Sequence, residues 1–305
     1  MNKKSITLGL ILVTLSLIFI KRANKKCNLL NNKGKYVLVT GASTGIGRSI
    51  VEKLALNDYI VFATARKDKD LENLSKIKNI IPIKMDLLDH NSVLQAKSEV
   101  KKQLNGNKLF SIINNAGIAI GGPIELIPME ELRKQFEVNF FGTVDVIQTF
   151  FSLLDEKHSK IINMSSVGGK VANPFMGPYN ASKFALEAMS DSLRRELLNT
   201  NIDVIVIEPG RIVTPIWDKA EDIDPKKYKD SRYYEVLGRV KKFIISRGKL
   251  GAPPDKVSKK VIEILSNKNN KARYWVSSKP LIEVFIPKLL PDRVLDKVIK
   301  RFLKI

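Results

Sequence analysis

The chain has 305 residues, and 52 lysines and arginines against 31 aspartates and glutamates give it a formal net charge of +21. The lysines run along the whole chain without a helix-turn-helix, zinc-ligand or stacking-aromatic pattern, so we expect a solvated basic surface and no nucleic-acid partner. Two histidines and the single Cys27 exclude a histidine-based triad, a multi-histidine metal site and an intrachain disulfide.

Residues 1–32 begin with an apolar run, Ile6 to Ile20, flanked by lysines and arginines on both sides. Because a basic cluster follows the run where a small-residue cleavage site would be needed, the pattern favours an uncleaved anchor over a cleaved signal peptide. The run is shorter than the about 20 residues of a usual span, but snorkelling lysines extend it. We predict a single-pass membrane protein, in the endoplasmic reticulum if the source is eukaryotic, with its globular part facing the cytosol.

From about residue 33 to residue 278 strand and helix signals alternate. The predicted strands are Tyr36–Thr40, Ile60–Ala65, Ile80–Asp86, Phe110–Asn114, Lys160–Met164, Ile202–Glu208 and Arg273–Ser277. Helical periodicity lies between them, for example over Arg48–Leu56, Met129–Leu154 and Ala181–Leu198. This alternation predicts an α/β fold, a doubly wound parallel sheet of Rossmann type in a single domain, 33–278.

Two segments fall outside the alternation. Residues 211–251 lack a clear sheet element, and this length favours a substrate lid over a pair of surface helices. In the tail, 279–305, apolar residues recur at helical spacing from Val294 to Phe302 with basic residues between them, which predicts a basic amphipathic helix. Such a helix could bind an anionic membrane surface, pack on its own domain or contact a second subunit.

A glycine-rich turn joins the first predicted strand to the first helix. Glycines there let the backbone approach a pyrophosphate seated on the helix N-terminus, although the spacing G-x-x-x-G-x-G differs from the usual dinucleotide fingerprint. The predicted cofactor-binding residues of this turn are Gly41, Ser43, Thr44, Gly45, Ile46 and Gly47.

The end of the second strand bears on the choice of nicotinamide cofactor. A carboxylate there would bind the ribose 2′-hydroxyl of NAD, but this chain has Ala65 followed by Arg66 and Lys67, and Arg48 follows the glycines. Arginine can hold a phosphate through paired hydrogen bonds, so we predict NADP(H) over NAD(H), with Arg66 as a contact. The alternative is that Arg66 is only a surface charge.

Tyr179 and Lys183 lie four residues apart and share a face if the segment is helical. A neighbouring positive charge favours the phenolate and lowers the pKa of a tyrosine, which makes it a usable general acid or base. One such pair is expected by chance in a lysine-rich chain. Here, however, the preceding strand ends in Ser165-Ser166, which places a hydroxyl at the edge where open α/β sheets bind ligands.

The motifs, in this order, resemble those of the classical short-chain dehydrogenase/reductases over nearly all of 33–278. They are TGASTGIG at Thr40–Gly47, Asp86, NNAG at Asn114–Gly117, Asn139, Ser165-Ser166, Tyr179-x-x-x-Lys183, Pro209-Gly210 and Thr214. The resemblance implies an enzyme in which a nicotinamide cofactor carries a hydride and a Ser-Tyr-Lys set handles the proton.

It also implies a role for each matching residue. Tyr179 would exchange the proton, Lys183 would hold the nicotinamide ribose and keep the pKa of Tyr179 down, and Ser166 would hydrogen-bond the carbonyl. Asn139 would hold a water that links Lys183 to solvent. The implied cofactor contacts are Asp86 with adenine, Thr214 with the carboxamide, and Asn114, Ala116, Gly117, Pro209 and Gly210 within their motifs.

Three segments, VFATARK, ELRKQFEVNFFGTVDVIQTFF and EPGRIVTPIW, together with the predicted anchor, are similar to membrane-associated hydroxysteroid and retinol dehydrogenases. This implies a lipophilic, steroid-like or retinoid-like alcohol or carbonyl as substrate, and we expect a homodimer or homotetramer. One alternative is a reductase of long-chain keto-lipids, such as a ketosphingoid or a ketoacyl thioester. Another is a non-catalytic NADP-binding sensor or scaffold, against which the intact Tyr-Lys pair argues.

Overall fold

The computed structural model describes residues 32–214, 225–248, 251–279 and 281–303. Within the unit Gly34–Ile305, seven parallel strands form one sheet in the order β3-β2-β1-β4-β5-β6-β7. The strands are β1 (Tyr36–Val39), β2 (Ile60–Ala65), β3 (Ile80–Lys84), β4 (Leu109–Asn114), β5 (Ser159–Met164), β6 (Ile202–Pro209) and β7 (Arg273–Val276). The predicted doubly wound parallel sheet is confirmed.

Helices connect the strands. They are α1 (Gly45–Leu56), α2 (Asp68–Ser75), α3 (His90–Leu104), α4 (Met129–Phe136), α5 (Gly142–Phe150), α6 (Gly177–Glu196), α7 (Tyr234–Gly248), α8 (Asp255–Ser266), α9 (Ile286–Leu289) and α10 (Asp292–Leu303). From β1 the chain builds outward through β2 and β3, and then returns to place β4 on the other side of β1. This reversal opens a crevice at the carboxyl ends of β1 and β4, where open parallel sheets bind their ligands.

Two apolar layers cover the two faces of the sheet. On one face, α1 and α8 contribute Ile50, Leu54 and Val261 to a fully buried cluster. On the other face, α3 and α5 contribute Val100 and Phe150 to a second cluster. Because both faces are covered, a central strand such as β5 is buried at every position. The neighbouring β1, Tyr-Val-Leu-Val, accordingly reads as an apolar run rather than an alternation.

The long helix predicted over Met129–Leu154 is divided in the structure. After α4 comes one π-helical turn, Glu137–Phe141, then α5 and a short 3₁₀ turn, Phe151–Leu153. The π turn inserts an extra residue into the helix and turns Asn139 toward the carboxyl edge of the sheet, a pattern that is frequent at functional sites. Hydrophobic periodicity does not register one inserted residue, which is why the sequence predicts an unbroken helix.

The membrane location predicted from the sequence is not upheld and is corrected here. Among the residues that the structure describes, no helix is both long enough and apolar enough to cross a bilayer. The C-terminal amphipathic helix α10 has 12 residues, against the about 20 that a span requires. The apolar run Ile6 to Ile20, and with it the predicted endoplasmic-reticulum anchor of residues 1–32, lies outside the described residues.

The C-terminal tail begins against its own domain. Arg211 Nε donates to Glu283 Oε1 at 2.7 Å, and the Ser277 hydroxyl donates to the other oxygen of the same carboxylate. The Phe285 ring meets the Trp275 ring edge-on, with centroids 4.5 Å apart. Farther along, none of the described side chains of α10 is fully buried. Its exposed apolar residues are Val294, Val298 and Phe302, and its half-buried ones are Leu295, Ile299 and Leu303.

The Phe150 side chain is completely buried between α5 and the sheet. Truncating it in Phe150→Ala leaves a cavity in a close-packed layer, so we expect the free energy of unfolding to fall by about 3–5 kcal/mol. Phe184→Ala is the matched control, because Phe184 is 44 % exposed and its loss should change stability by no more than about 0.5 kcal/mol. Urea unfolding followed by circular dichroism measures both, and equal losses would contradict the packing described.

Candidate active site

Ser166, Tyr179 and Lys183 converge at the carboxyl end of β5. Helix α6 places Tyr179 and Lys183 one turn apart, and the Lys183 ammonium lies 5.9 Å from the centre of the Tyr179 ring. Lys183 Nζ donates to the carbonyl oxygen of Met164, the last residue of β5, at 2.8 Å. Ser166 follows two residues later and accepts from Gly168 N at 3.0 Å, which starts a 3₁₀ turn.

Burial controls the ionisation of the pair. It raises the pKa of Tyr179, and a hydrogen bond between the hydroxyls of Ser166 and Tyr179 opposes the rise. It lowers the pKa of Lys183 to about 8, and the nearby Glu187 opposes this fall. The sequence predicted a lowered pKa for Tyr179, whereas in the fold burial is the largest influence on this pKa and acts in the opposite direction, because it disfavours the phenolate. Tyr179 therefore keeps its proton near neutral pH and is ready to donate it.

Asn139 ties the π turn to the rest of the crevice. Its Oδ1 accepts from Ile118 N at 2.9 Å, and its Nδ2 donates to Ile118 O at 3.0 Å and to Ser182 Oγ at 3.1 Å. Gly117 lies so close that a Cβ there would stand 3.3 Å from Asn139 Oδ1 and 3.7 Å from Lys183 Nζ. The side-chain amide thus holds the loop after β4 against α6, and its role toward a water stays a prediction.

Gln135, which the sequence analysis overlooked, supports the same loop one turn earlier. Its Oε1 accepts from Ile120 N at 2.7 Å, and its Nε2 donates to Ile118 O at 2.9 Å. The side chain is fully buried, so these two bonds satisfy its amide. The available signal was a pair of amides, Gln135 and Asn139, spaced four residues apart in a predicted helix.

The glycine-rich turn between β1 and α1 forms a tight cradle. Gly41 and Gly45 have positive φ angles of 66° and 57°, which residues with a Cβ rarely adopt. A Cβ at Gly47 would collide with the carbonyl oxygen of Gly41. The side chain of Thr44, the residue before the helix, makes no capping hydrogen bond. The first N–H groups of α1 are therefore not bonded by a capping side chain and point toward the crevice. Ser43 and Ile46 lie in the same turn, partly exposed.

Thr40 locks this cradle to the end of β4. Its hydroxyl oxygen accepts from Asn115 N and from Ala116 N, each at 3.0 Å. Asn115 Nδ2 in turn donates to the carbonyls of Thr40 and Gly41 at 3.0 and 3.1 Å. A rigid glycine cradle at a helix N-terminus fits the pyrophosphate of a nicotinamide dinucleotide.

Arg48 and Arg66 are the two arginines that the sequence analysis considered for a ribose 2′-phosphate. Arg48 Nε is paired with Glu52 Oε1 at 2.5 Å, one turn along α1. Arg66, directly after β2, is exposed and has no ion pair with any residue that the structure describes, which leaves it available for a phosphate. Asp86 follows β3 at the same edge, half-buried, and its Oδ1 accepts from Leu88 N at 3.1 Å.

The remaining predicted cofactor residues are placed differently. Asn114 is buried, and its Nδ2 donates to Asn163 Oδ1 at 2.8 Å, so this side chain joins β4 to β5 inside the sheet. Pro209 ends β6, and Gly210 N donates to Val276 O at 3.0 Å. Thr214 is the last described residue before the gap at 215–224.

An apolar wall stands beside the Ser-Tyr-Lys set. Phe175, just before α6, has a positive φ of 64°, and its carbonyl oxygen accepts from Gly122 N at 2.8 Å. Its ring meets that of Tyr233 edge-on at 5.8 Å, and the two belong to a cluster with Tyr228 and Leu237. The loop after β4 exposes the apolar side chains of Ile124 and Leu126, and Met129 is exposed at the start of α4.

A buried charge cluster lies on the far side of Lys183. Glu187 Oε2 accepts from Lys170 Nζ at 2.8 Å and from Arg273 Nε at 2.9 Å. Glu208, the residue before Pro209, is fully buried, and its carboxylate lies 3.4 Å from Arg273 Nε and 3.8 Å from Lys170 Nζ. Burial, with the charge of Glu187 second, raises the pKa of Glu208 to about 7.

The sequence analysis overlooked this cluster because its members come from four separate elements. Two signals were present, namely a glutamate four residues after Lys183 and a second glutamate that closes the apolar strand β6.

Comparison with known proteins agrees with this geometry. A family model described as short chain dehydrogenase matches residues 35–224. The NADPH-dependent 3-dehydrocapnine reductase of Ornithobacterium rhinotracheale is 39% identical over 277 residues, which cover 88% of this chain and 98% of that protein. The 3-ketodihydrosphingosine reductase of Bacteroides thetaiotaomicron is 32% identical over 270 residues, 87% of this chain and 97% of that protein.

One further relative and one solved structure are also similar to this chain. Mouse estradiol 17-beta-dehydrogenase 2 is 32% identical over 285 residues, 88% of this chain and 74% of that protein. Among solved structures, a short chain dehydrogenase/reductase from Burkholderia phymatum in complex with NAD has a TM-score of 0.73 at 21% identity. The match covers 88% of this chain and 96% of that one, and shows a common fold.

The raised pKa of Glu208 makes stability depend on pH. In the unfolded chain this carboxyl ionises near its ordinary pKa of 4.5, whereas in the fold it ionises near 7, so stability is lost as the pH rises through that window. Glu208→Gln removes the ionisation. We therefore expect the variant to gain stability relative to the parent protein as the pH rises. The difference in the free energy of unfolding, variant minus parent, should increase by on the order of 2 kcal/mol between pH 5 and pH 8.

Asp191→Asn provides the control of opposite sign. Ion pairs, first of all with Arg273, lower the pKa of Asp191 to about 2, so above pH 5 this carboxyl is ionised in both states. Its replacement should cost stability by an amount that is constant from pH 5 to pH 8. Urea titrations at four pH values would test both variants, and a pH-independent difference for Glu208→Gln would refute the assignment.

Proposed function

Because the chain belongs to the short-chain dehydrogenase/reductase family and is an oxidoreductase, we propose that it uses NADPH to reduce a ketone on a long-chain lipophilic substrate. The observation that carries the proposal is the convergence of the half-buried Tyr179 with Ser166 and Lys183 at the open edge of the sheet. A tyrosine that keeps its proton at neutral pH is suited to donate it to a carbonyl oxygen.

In the proposed mechanism the substrate carbonyl lies between the hydroxyls of Ser166 and Tyr179. The hydride comes from the bound nicotinamide, which is the chemistry that the cofactor supplies. Tyr179 donates its proton to the oxygen as negative charge develops there, and the Ser166 hydroxyl donates a hydrogen bond to the same oxygen. The Lys183 ammonium, held by Met164 O, contacts the nicotinamide ribose and stabilises the phenolate that remains.

The apolar wall supports a lipophilic substrate. Phe175 and Met176 directly precede the helix that carries Tyr179. The exposed Ile124 lies against Gly177, the first residue of that helix. A contiguous exposed apolar patch next to catalytic groups is typical of a ligand site. The names of two relatives, 3-dehydrocapnine reductase and 3-ketodihydrosphingosine reductase, favour reduction of a keto group.

A second candidate is a steroid alcohol or ketone, which the similarity to estradiol 17-beta-dehydrogenase 2 favours. Both candidates need the same catalytic set and an apolar pocket, so they differ in substrate shape and not in chemistry. A direct comparison of rates separates them.

NADPH is proposed as the cofactor on the charge at the end of β2. Arg66 is exposed there and has no carboxylate partner in the part of the chain that the structure describes, and the sequence has no acidic residue at the position that favours NAD. The Ornithobacterium relative is also named as an NADPH-dependent reductase.

The catalytic assignment is tested by Tyr179→Phe. NADPH oxidation is followed with 3-ketodihydrosphingosine, 3-dehydrocapnine and estrone, and we expect turnover of one of the two keto-lipids. Removing the proton donor should lower kcat by about 10²–10⁴-fold while NADPH still binds. Tyr36→Phe, at the start of β1 and the opposite end of the sheet, should retain full activity. Faster turnover of estrone would favour the second candidate, and tight NADPH binding without any turnover would refute a reductase.

The cofactor assignment is tested by Arg66→Ala. Loss of charge-assisted hydrogen bonds to a 2′-phosphate should raise KM for NADPH by roughly 10–100-fold. KM for NADH, which lacks that phosphate, should change by less than about twofold if Arg66 acts only there. Lys69→Ala, an exposed cation on α2, controls for a general effect of positive charge. A parent protein that prefers NADH would overturn the proposal.

A further inference from the structure

Helix α6 carries more than the Tyr-Lys pair. Tyr179, Lys183, Glu187 and Asp191 follow one another at intervals of four residues, so they lie along one face of the helix. Lys183 is 5 % exposed, and its ammonium makes no ion pair with any residue in the described ranges. Glu187, one turn further along, is 4 % exposed and is the nearest carboxylate on that face.

The Glu187 carboxylate is fixed from two other elements. Lys170, after β5, and Arg273, on β7, both donate to its Oε2, at 2.8 and 2.9 Å. Its Oε1 is buried and makes no hydrogen bond to the residues that the structure describes. The two bonds to Oε2 hold the carboxylate rigidly. No described donor bonds to Oε1, so the negative charge on this oxygen is not offset by a hydrogen bond.

A buried ammonium needs such a counter-charge. Burial disfavours the charged form of a lysine, and an opposite charge nearby restores it. At the distance of one helical turn through protein, this interaction is screened far less than it would be in water. The directions of the pKa shifts agree, because burial lowers the pKa of Lys183 and Glu187 raises it.

We propose that Glu187 is a positioning residue of the active site, whose carboxylate, held by Lys170 and Arg273, keeps the Lys183 ammonium protonated for its contact with the nicotinamide ribose. The inference rests on the proposed function for the role of Lys183. The competing explanation is structural, namely that Glu187 only fastens α6 to β7.

The charged groups that face Glu187 come from every element packed against it. They are Lys183 and Asp191 on α6, Lys170 after β5, Glu208 on β6 and Arg273 on β7. Glu208 shares both cations with Glu187. When Glu208 ionises, it adds a negative charge and competes with Glu187 for Lys170 and Arg273. Both effects make the surroundings of Lys183 more negative, so the pKa of Lys183 rises. The local charge at Lys183 is therefore set by the pair of glutamates.

The test is the dissociation constant of NADPH, measured by its fluorescence from pH 6 to pH 10. In the parent protein binding should weaken as Lys183 loses its proton, and Lys183→Met should remove that inflection. In Glu187→Gln the inflection should move to lower pH by about one unit, the usual effect of losing a nearby opposite charge. Glu187→Asp, which keeps the charge, should restore it at least in part.

Two further variants separate this role from a structural one. Asp191→Asn loses another partner of Arg273 one turn beyond Glu187, so it should lower the melting temperature and leave the inflection in place. Lys170→Met removes a cation that offsets Glu187, so it should move the inflection to higher pH, opposite in sign to Glu187→Gln. If Glu187→Gln does not fold, the Lys170→Met result decides.

An inflection that stays in place in both Glu187→Gln and Lys170→Met, whatever their melting temperatures, would overturn the inference. NADPH binding does not require a substrate, so the outcomes are distinguishable. Shifted inflections without turnover of any ketone would keep this inference and refute the reductase. Turnover of a ketone with unshifted inflections would keep the reductase and refute the role of Glu187. A parent protein that does not bind NADPH would overturn both proposals.

Discussion

The hydrogen bond from the Lys183 ammonium to the carbonyl of Met164 is the interaction on which the site depends. It joins α6 to the end of β5 at 2.8 Å and thereby sets how far Tyr179 stands from Ser166. It also places a cation where water cannot solvate it, and burying a charge is costly unless it is compensated. The carboxylates of Glu187 and Glu208 and the carbonyl oxygen of Met164 compensate the cost of burying this ammonium.

Around that bond, the backbone leaves the sheet and loses its strand-to-strand hydrogen bonds. Polar side chains supply hydrogen-bond partners for the loop backbone instead. Thr40 closes the glycine cradle against β4, while Gln135 and Asn139 hold the loop at Ile118. Each of these side chains is buried and satisfied by bonds of 2.7–3.1 Å. Such networks specify a single arrangement, since losing one member leaves its partners buried and unpaired. The crevice is therefore rigid where a cofactor would lie.

The sequence predicts the sheet well, and the reason is physical. Strands covered on both faces, such as β1 and β2, become nearly continuous apolar runs, which the hydropathy of the sequence reveals directly. The Ser-Tyr-Lys positions are also visible, because their spacing is local and their order along the chain is informative. The structure brings Ser166, Tyr179 and Lys183 together, although the roles assigned to them remain predictions.

What the sequence does not reveal depends on contacts between distant segments. The π turn at Asn139 departs from helical periodicity by one residue, and its stabilising partner Ile118 lies 21 residues away. The pairing of Glu187 with Arg273 spans 86 residues. The predicted fall in the pKa of Tyr179 considered the neighbouring charge but not the degree of burial, which only the fold determines. For Asn114, which the sequence predicts as a cofactor contact, position in a motif did not indicate that its side chain bonds to Asn163 inside the sheet.

The attachment of the C-terminal tail couples two positions that are far apart in the chain. A Cβ at Gly210 would collide with the Glu283 carboxylate and would stand 2.8 Å from Ser277 Cβ. Residue 210 therefore has to remain a glycine for as long as Glu283 is bound to Arg211 and Ser277. Substitutions at these positions should be non-additive, as is usual for groups in direct contact. In the evolution of this chain, a replacement of Gly210 by a residue with a side chain is tolerated only after the contact at Glu283 has been lost. The order in which mutations at positions 210 and 283 arise therefore matters.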